Sequence, residues 1–477
     1  METINESMVT EPTNSAENVI TTNTPQNMNI KEYESITTTP LETTTTTTPL
    51  NTTTTTPLED TTTTPLETTT TTTPLETPSS GLEFNRSKLE ALGAQVRLTD
   101  TDEATGLELF CYVHCESTDD VFLHQCRGVV FNKQDIVMKA FPYTVEYDHT
   151  DTEQITTKIG DVFEQCVFYD AHEGALVRMF FFDGKWFTCT HRKLNAFRSK
   201  WASRESFGSS FKRALEHEMT HNTKLAESIP AGEEGLLERF QTTLNQNSQY
   251  MFLIRHCPEN RIVCIPPENP TVYHVGTFVG GNLVMTENCN IPHSSQHTFP
   301  SLSDLIRHVG NIDIRYLQGI ICFAPNNKQY KIMHKDYLDL FRARGNEPSI
   351  KFRYLQVRMN NLTTDMLYHL YPDMIPSFDE IENNIYEIAK NIYSSYVQRF
   401  IKKKFVTVPI EDFSVIRECH KWHEENRLVN RINIDKIITV INQQTPTNIN
   451  RMIRRFRTEK KVVPTLTEQL PTQMNLS

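Results

Sequence analysis

Residues 166–200, CVFYDAHEGALVRMFFFDGKWFTCTHRKLNAFRSK, decide how the fold is read. Ala175-Leu176-Val177 and Met179 to Phe182 form one β-rich run, and Trp186 to Thr190 form a second, with Asp183-Gly184 between them. Asp-Gly in that position signals a hairpin, because a type I′ turn needs positive φ at both central residues. Immediately before the first strand stands Ala171-His172-Glu173-Gly174.

Outward from this hairpin the same grammar repeats. Leu107 to His114 reads as a strand, and Phe122 to Phe131 with Ile136 to Phe141 as a β-rich pair around residues 132–135. Tyr250 to Arg255 and Arg261 to Ile265 read as strands around Pro258-Glu259-Asn260. Val272 to Val279 and Leu283 to Met285 flank Gly280-Gly281, and Gly319 to Phe323 with Gln329 to Met333 flank Asn326-Asn327. Between them, helices are expected over Phe207–Met219, Glu233–Phe240 and Ser301–Val309, the last capped by Ser301 or Ser303. Beyond about Pro348 the apolar period changes from two to 3.6. Ser377-x-x-Glu380 resembles a capping box, and Ile381, Ile385, Ile388, Ile392, Tyr396 and Phe400 then share one helical face as far as Lys402-Lys403-Lys404. Short helices are expected to about Phe456. The fold class is α+β: a body of antiparallel hairpins followed by a C-terminal helical appendage.

The two ends differ in chemistry from this body. Residues 1–80 hold eleven acidic residues against Lys31, and prolines 40, 49, 57, 65 and 74 punctuate a threonine tract that has too few apolar side chains to offset ordering entropy. A disordered Thr/Pro-rich tail is expected over 1–80, a hairpin domain over 81–347, a helical domain over 348–458 and a flexible tail over 459–477. Within a formal net charge of −12, residues 381–477 carry sixteen basic and ten acidic residues, so a nucleic-acid contact is sought there. Arg451, Arg454, Arg455 and Arg457, with Lys460 and Lys461, are the candidates; a solvated helix end is the plainer alternative. The ten cysteines form no CxxC pair. Cys111-x3-Cys115 lacks the second pair a zinc site needs, so reduced, buried thiols are expected and no metal ligand set is assigned. METINESMVT has neither the cationic start nor the apolar core of a signal peptide, and no 18-residue apolar run occurs. The expectation is an intracellular protein with no membrane span.

Five segments in order carry a resemblance. Arg127-Gly128-Val129-Val130-Phe131 precedes Lys139-Ala140-Phe141-Pro142-Tyr143, then Glu173-Gly174-Ala175-Leu176, then Pro258 to Val263, then Gly319-Ile320-Ile321 and Tyr330-Lys331-Ile332 with Tyr337. From Cys126 to Phe341 the chain resembles the adenylyltransferase domain of RNA ligases, and this implies an antiparallel-sheet nucleotidyltransferase (RNA/DNA ligase-like) domain. In that chemistry a lysine amine attacks the α-phosphate of ATP, carboxylates position a metal, and further lysines neutralise phosphate charge. The resemblance puts Ala171 at the lysine position, where a methyl group cannot attack phosphorus. It puts Ile254 and Gln318 where two glutamates would stand, and Met333 where the second lysine of a final K-x-K would stand; Glu173, Gly174 and Lys331 keep their positions. Nucleophile and phosphate clamp act as a unit, so a catalytically silent scaffold is expected, with no cofactor. Over about 120–360, E-G-A-L-V, C-T-x-x-K-L and S-F-K-R-A also resemble the immediate-early infected-cell proteins of iridoviruses. That resemblance implies a viral protein made early in infection and names no activity.

Arg127, Glu173, Arg192, Lys193 and Lys331 are the candidates for a residual phosphate groove; as strand ends and a turn carboxylate they need no ligand at all. His172 and His191 read as partly exposed polar residues sooner than as a base or a metal ligand. Phe180, Phe181, Phe182, Trp186 and Phe187 resemble a base-stacking platform, and the packing of a covered hairpin explains them more simply. Candidate partners are RNA, a nucleotide, or a host or viral protein. The alternatives are a transferase using another lysine, Lys158 or Lys185, and a regulatory protein acting through its tail and basic end.

Overall fold

The Asp183-Gly184 turn forms with φ of 48° and 76°, and Phe182 pairs with Lys185 beside it, as the dipeptide requires. The computed structural model describes residues 84–139, 141–255, 258–285 and 289–467, with side chains described as far as 460. All of these lie in the unit Ser80–Ser477. The Thr/Pro-rich tail, Ala140, the last ten residues and the side chain of Lys461 are outside the described residues.

Among the described residues fourteen strands fall into three sheets. β1 (Val96–Asp102), β2 (Leu107–Tyr112), β3 (Val129–Asn132) and β4 (Asp135–Met138) form an antiparallel meander. β5 (Val145–Asp148), β6 (Val167–Ala171), β7 (Ala175–Phe182) and β8 (Lys185–Cys189) are divided between the other two sheets, which also hold β9 (Ser248–Arg255), β10 (Thr271–Val279), β11 (Asn282–Val284), β12 (Gln296–His297), β13 (Gly319–Ala324) and β14 (Lys328–Met333). The second sheet runs β11-β10-β9-β7-β8 and the third β12-β6-β13-β14-β5, with β5 parallel to β14 and every other pair antiparallel. The stretch 166–200 thus contains three strands where its sequence suggested two. β6 belongs to the third sheet and β7 to the second, so His172-Glu173-Gly174 is the crossing between them. Gly174 is required at that crossing: a Cβ there would meet the Ile254 carbonyl oxygen at 2.5 Å.

Where the sheets meet, Leu109 and Val130 from the first, Phe180 and Met251 from the second, and Tyr169 and Phe323 from the third share one apolar core. Phe180 stacks on Phe187 with centroids 5.1 Å apart in this core, so the aromatic hairpin is packing material rather than a platform. The second sheet's other face is covered by helices Phe207–His221, Thr223–Ser228 and Leu236–Thr242, and the third sheet's by Thr152–Ile159 and Leu302–Val309. Asn326 and Asn327 take φ near 60° at the third hairpin, and Asn327 then reaches across to the second, accepting from Leu283 N at 2.8 Å and donating to Gly281 O at 3.0 Å. Seven of the nine described cysteines are buried.

Three sequence expectations fail for physical reasons. Phe122–Phe131 is not one strand: Asp120 caps a helix over Val121–Gln125 before β3 begins. Arg261–Ile265 is not a strand, because its amides and carbonyls are engaged elsewhere: Val263 N donates to Glu173, and Tyr371 Oη donates to the Arg261 carbonyl. Ser377 caps nothing, because Pro376 opens the helix earlier and Ser377 lies inside Ile375–Tyr396.

That helix delivers the expected apolar face. Ile381, Ile385, Ile388, Ile392 and Tyr396 pack against Val415, Ile437 and Met452 of the following helices. The last helix, Pro446–Thr467, continues past residue 458. It also divides the basic cluster. Arg455 donates to Asp412 at 2.5 Å and Glu411 at 3.3 Å, and Arg457 pairs with Glu380 at 3.1 Å, which makes both structural. Among the described side chains of this cluster, Arg451, Arg454 and Lys460 remain exposed. Burial raises the Asp412 carboxyl's pKa, against the lowering effect of Arg455. Arg455→Met should therefore lower the stability of the helical bundle by about 2 kcal/mol, between the exposed and fully buried limits for an ion pair. Arg451→Met should stay within about 0.5 kcal/mol; denaturant titration by circular dichroism reads both.

Candidate functional site

The crossing from β6 to β7 opens onto a cavity of about 570 Å³, a size suited to a small-molecule ligand. Ala171, the last residue of β6, lines it, and so do Arg127, Arg192, Lys331, Ile254 and Met333. Ile254 and Met333 are buried side chains that form walls and leave the space open. Gln318 donates its backbone N–H to Ala171 O at 2.9 Å, and its side-chain oxygen accepts from Lys331 Nζ at 3.2 Å. Lys331 also pairs with Glu146 at 3.1 Å, its register partner across the parallel β5–β14 pair. The strand pairing thus places the Lys331 amine one side chain, that of Gln318, away from the Ala171 backbone.

Every carboxylate in the lining is satisfied by the protein itself. Glu173 accepts from Val263 N at 2.7 Å, Ile262 N at 3.3 Å and Tyr337 Oη at 2.8 Å, so it fastens the 258–264 loop and the helix Lys335–Arg344 to the crossing. It is the turn carboxylate of the plainer reading, and burial beside it pushes the Tyr337 phenol well above its ordinary range. Asp170 bonds His297 at 2.8 Å, and Glu146 is held by Lys331.

The cations are different. Among the described residues the Arg127 side chain donates only to Pro142 O at 3.3 Å and the Arg192 side chain only to Val113 O at 3.4 Å. Behind them Arg178 of β7 is completely buried. Its guanidinium donates to Gly128 O at 2.5 Å and to Thr190 O, and its Nε has no partner. Among the described residues none of the three pairs with a carboxylate. Their joint field is registered by His191, a lining residue whose pKa is pushed down to about 3 by burial and then by Arg127, Arg178 and Arg192. His172 is likewise held down to about 4, first by burial and then by Arg255, whose Nη1 is 3.2 Å from His172 Nδ1. Its ring stacks on Tyr273 at 4.9 Å, nearly parallel.

Of the groove candidates, Arg127, Glu173, Arg192 and Lys331 are brought together, and Lys193 is not: it turns to Asp100, 3.4 Å away. The alternative lysines are elsewhere too. Lys185 pairs with Asp102 at the hairpin tip and Lys158 sits on the helix Thr152–Ile159; neither lines the cavity. Arg178 was missed. Its one signal was an arginine between Val177 and Met179 in an otherwise apolar strand, where a charge needs a specific reason to be buried.

The assembly is a mixed α+β chain whose solved structural neighbours are ATP-dependent nucleic-acid ligases. A putative ATP-dependent DNA ligase from Aquifex aeolicus is 14% identical at a TM-score of 0.34, over 62% of this chain and 78% of that one. An archaeal ATP-dependent RNA ligase is 10% identical at 0.34, over 62% and 72%. Its curated homologues are iridovirus proteins. The chain is 27% identical over 385 residues to the immediate-early protein ICP-46 homolog of Invertebrate iridescent virus 6, covering 75% of this chain and 83% of that one. To the homolog of Invertebrate iridescent virus 3 it is 28% identical over 372 residues, 74% and 79%, and to immediate-early protein ICP-46 of Frog virus 3 it is 25% identical over 268, 54% and 64%. No family model matches.

Three neutral histidines make the fold acid-sensitive. His274, 1% exposed and 2.8 Å from Thr277 Oγ1, is held down to about 3 by burial, as His191 is to about 3 and His172 to about 4. The unfolded chain binds these protons near pH 6.5 and the folded one does not. Stability is therefore complete above about 6.5 and is lost as pH falls toward 4. His274→Asn should flatten the slope of unfolding free energy against pH in that window by up to about 1.4 kcal/mol per pH unit, measured by urea titration at a series of pH values.

Proposed function

We propose that this is a viral protein of the early phase of infection, as its relatives' names describe them, that binds a nucleotide without covalent chemistry. One observation carries the reading. All three carboxylates of the cavity are satisfied internally, while Arg127 and Arg192, backed by the buried Arg178, have only carbonyl partners. In a chain of net charge −12 such a concentration of unpaired cations suits a phosphate-bearing ligand, and charge-assisted bonds to phosphate are the strong ones. The stacked His172 and Tyr273 in the lining offer a flat surface for a base. Catalytic silence follows from the alanine: position 171 offers no amine, and the lining amine of Lys331 is occupied by Glu146 and Gln318. Exposed Arg451, Arg454 and Lys460 would contact any longer nucleic acid through its backbone.

The test is incubation of the full chain with α-labelled ATP or GTP and a divalent ion. Saturable binding that survives no denaturing wash is the expected result, with affinity weakened about tenfold by Arg127→Ala and again by Arg192→Ala. A label that stays attached after denaturation and disappears in Lys331→Ala would establish a transferase using a displaced lysine in place of the silent reading. No binding at millimolar nucleotide would remove the nucleotide altogether.

A further inference from the structure

A second cluster lies on the opposite face of β6. Ala171 and Asp170 both border the cavity, but alternation along β6 turns the Asp170 carboxylate away from the Ala171 methyl, to the face that carries Phe168. β12 pairs with β6 so that His297 is opposite Phe168, two residues from Asp170 and therefore on Asp170's face. The helix Leu302–Val309 packs on this face through Leu305 and Val309, and it brings His308 alongside. The result is that Asp170, His297 and His308 each present a ligating atom, all within 4.8 Å of one another. His297 Nε2 is 2.8 Å from Asp170 Oδ1, and the two imidazole centroids are 5.0 Å apart. Phe299 stands against both rings at 5.8 and 5.3 Å, an apolar wall that limits how they turn.

We infer that Asp170, His297 and His308 form a binding site for a first-row divalent transition ion, with zinc the natural occupant. Two imidazoles and one carboxylate are a ligand set for such ions and not for calcium or magnesium, which take oxygen ligands. Three protein ligands leave the remaining position to water. Two observations argue for a ligand beyond the protein. The ring of His308 has no hydrogen-bond partner among the described residues, although it is only partly exposed and lies beside a carboxylate. The three residues come from three separate elements, β6, β12 and a helix. β12, only two residues long, is held to β6 chiefly at this point, with Asp170 N donating to Ser295 O at 2.9 Å and Ser294 Oγ to Asp170 O at 3.1 Å. An ion here would fasten the edge of the third sheet to the helix that covers it, and its role is structural.

The full chain, stripped with a chelator, is titrated with Co²⁺ and followed by its visible d–d absorption. Binding of one equivalent with a nitrogen/oxygen-type spectrum is expected, together with a higher melting temperature in Zn²⁺. His308→Gln and His297→Gln should each weaken Co²⁺ by more than the roughly 10–100-fold typical of losing an outer partner, while circular dichroism reports an intact fold; Asp170→Asn gives a third, independent loss. A near-ultraviolet thiolate charge-transfer band would place the ion on cysteines and overturn the proposal. So would the absence of saturable binding, or binding that all three variants retain.

Discussion

The buried guanidinium of Arg178 is the constraint on which the rest of this molecule depends. A cation taken out of water without a carboxylate loses several kcal/mol of solvation, and Arg178 recovers part of it only through the carbonyls of Gly128 and Thr190. Those two carbonyls belong to different sheets' approaches: Gly128 leads into β3 and Thr190 leaves β8. The arginine therefore pins the first sheet to the second at the mouth of the cavity. Gly128 must be glycine for this to work. Its φ is 67°, and a Cβ would meet the His191 backbone at 2.6 Å and the Arg178 guanidinium at 2.9 Å. The arrangement leaves Arg178 Nε unpartnered and its charge uncompensated, and that charge joins Arg127 and Arg192 in keeping His191 neutral.

Around this charged end the rest of the cavity is built by strand pairing. Parallel pairing of β5 with β14 sets Glu146 beside Lys331, antiparallel pairing of β6 with β13 brings Gln318 to Ala171, and the short crossing to β7 presents Glu173 to the 258–264 loop. Glu173 and Lys331 hold the walls together through their own hydrogen bonds. A carboxylate fixed by two amides and a phenol is needed for the loop to close, whatever chemistry happens beside it. Glu173 and Lys331 thus have structural contacts of their own that need no ligand in the cavity.

Much of this was legible in the chain. Asp183-Gly184, Gly280-Gly281 and Asn326-Asn327 each marked a hairpin, because positive φ at a two-residue turn is a local demand that few residues meet. The isoleucine face of the long helix was equally plain, being a periodicity with only one physical solution. What escaped was non-local. The run 261–265 has strand composition, but Glu173, some ninety residues earlier, takes its amides. Arg455 and Arg457 look like Arg451 in sequence, and only the packing of the last helix on Asp412 and Glu380 separates structural arginines from exposed ones. Lys193 and Arg192 are adjacent, yet Asp100 takes one and leaves the other at the cavity.

Strand β6 ties these features into one mechanical unit. Its five residues alternate between faces: Tyr169 and Ala171 toward the common core and cavity, Phe168 and Asp170 toward the covering helix. β13 holds it on one side through five register pairs, while β12 holds it on the other through only two. The weak flank is therefore the one carrying Asp170, His297 and His308, and whatever those three residues hold acts directly on the strand that ends at Ala171. A cation fixed there and an anion fixed among Arg127 and Arg192 would lie on opposite faces of the same short strand. Any coupling between the two would be carried by this strand and, by linkage, would be equal in both directions.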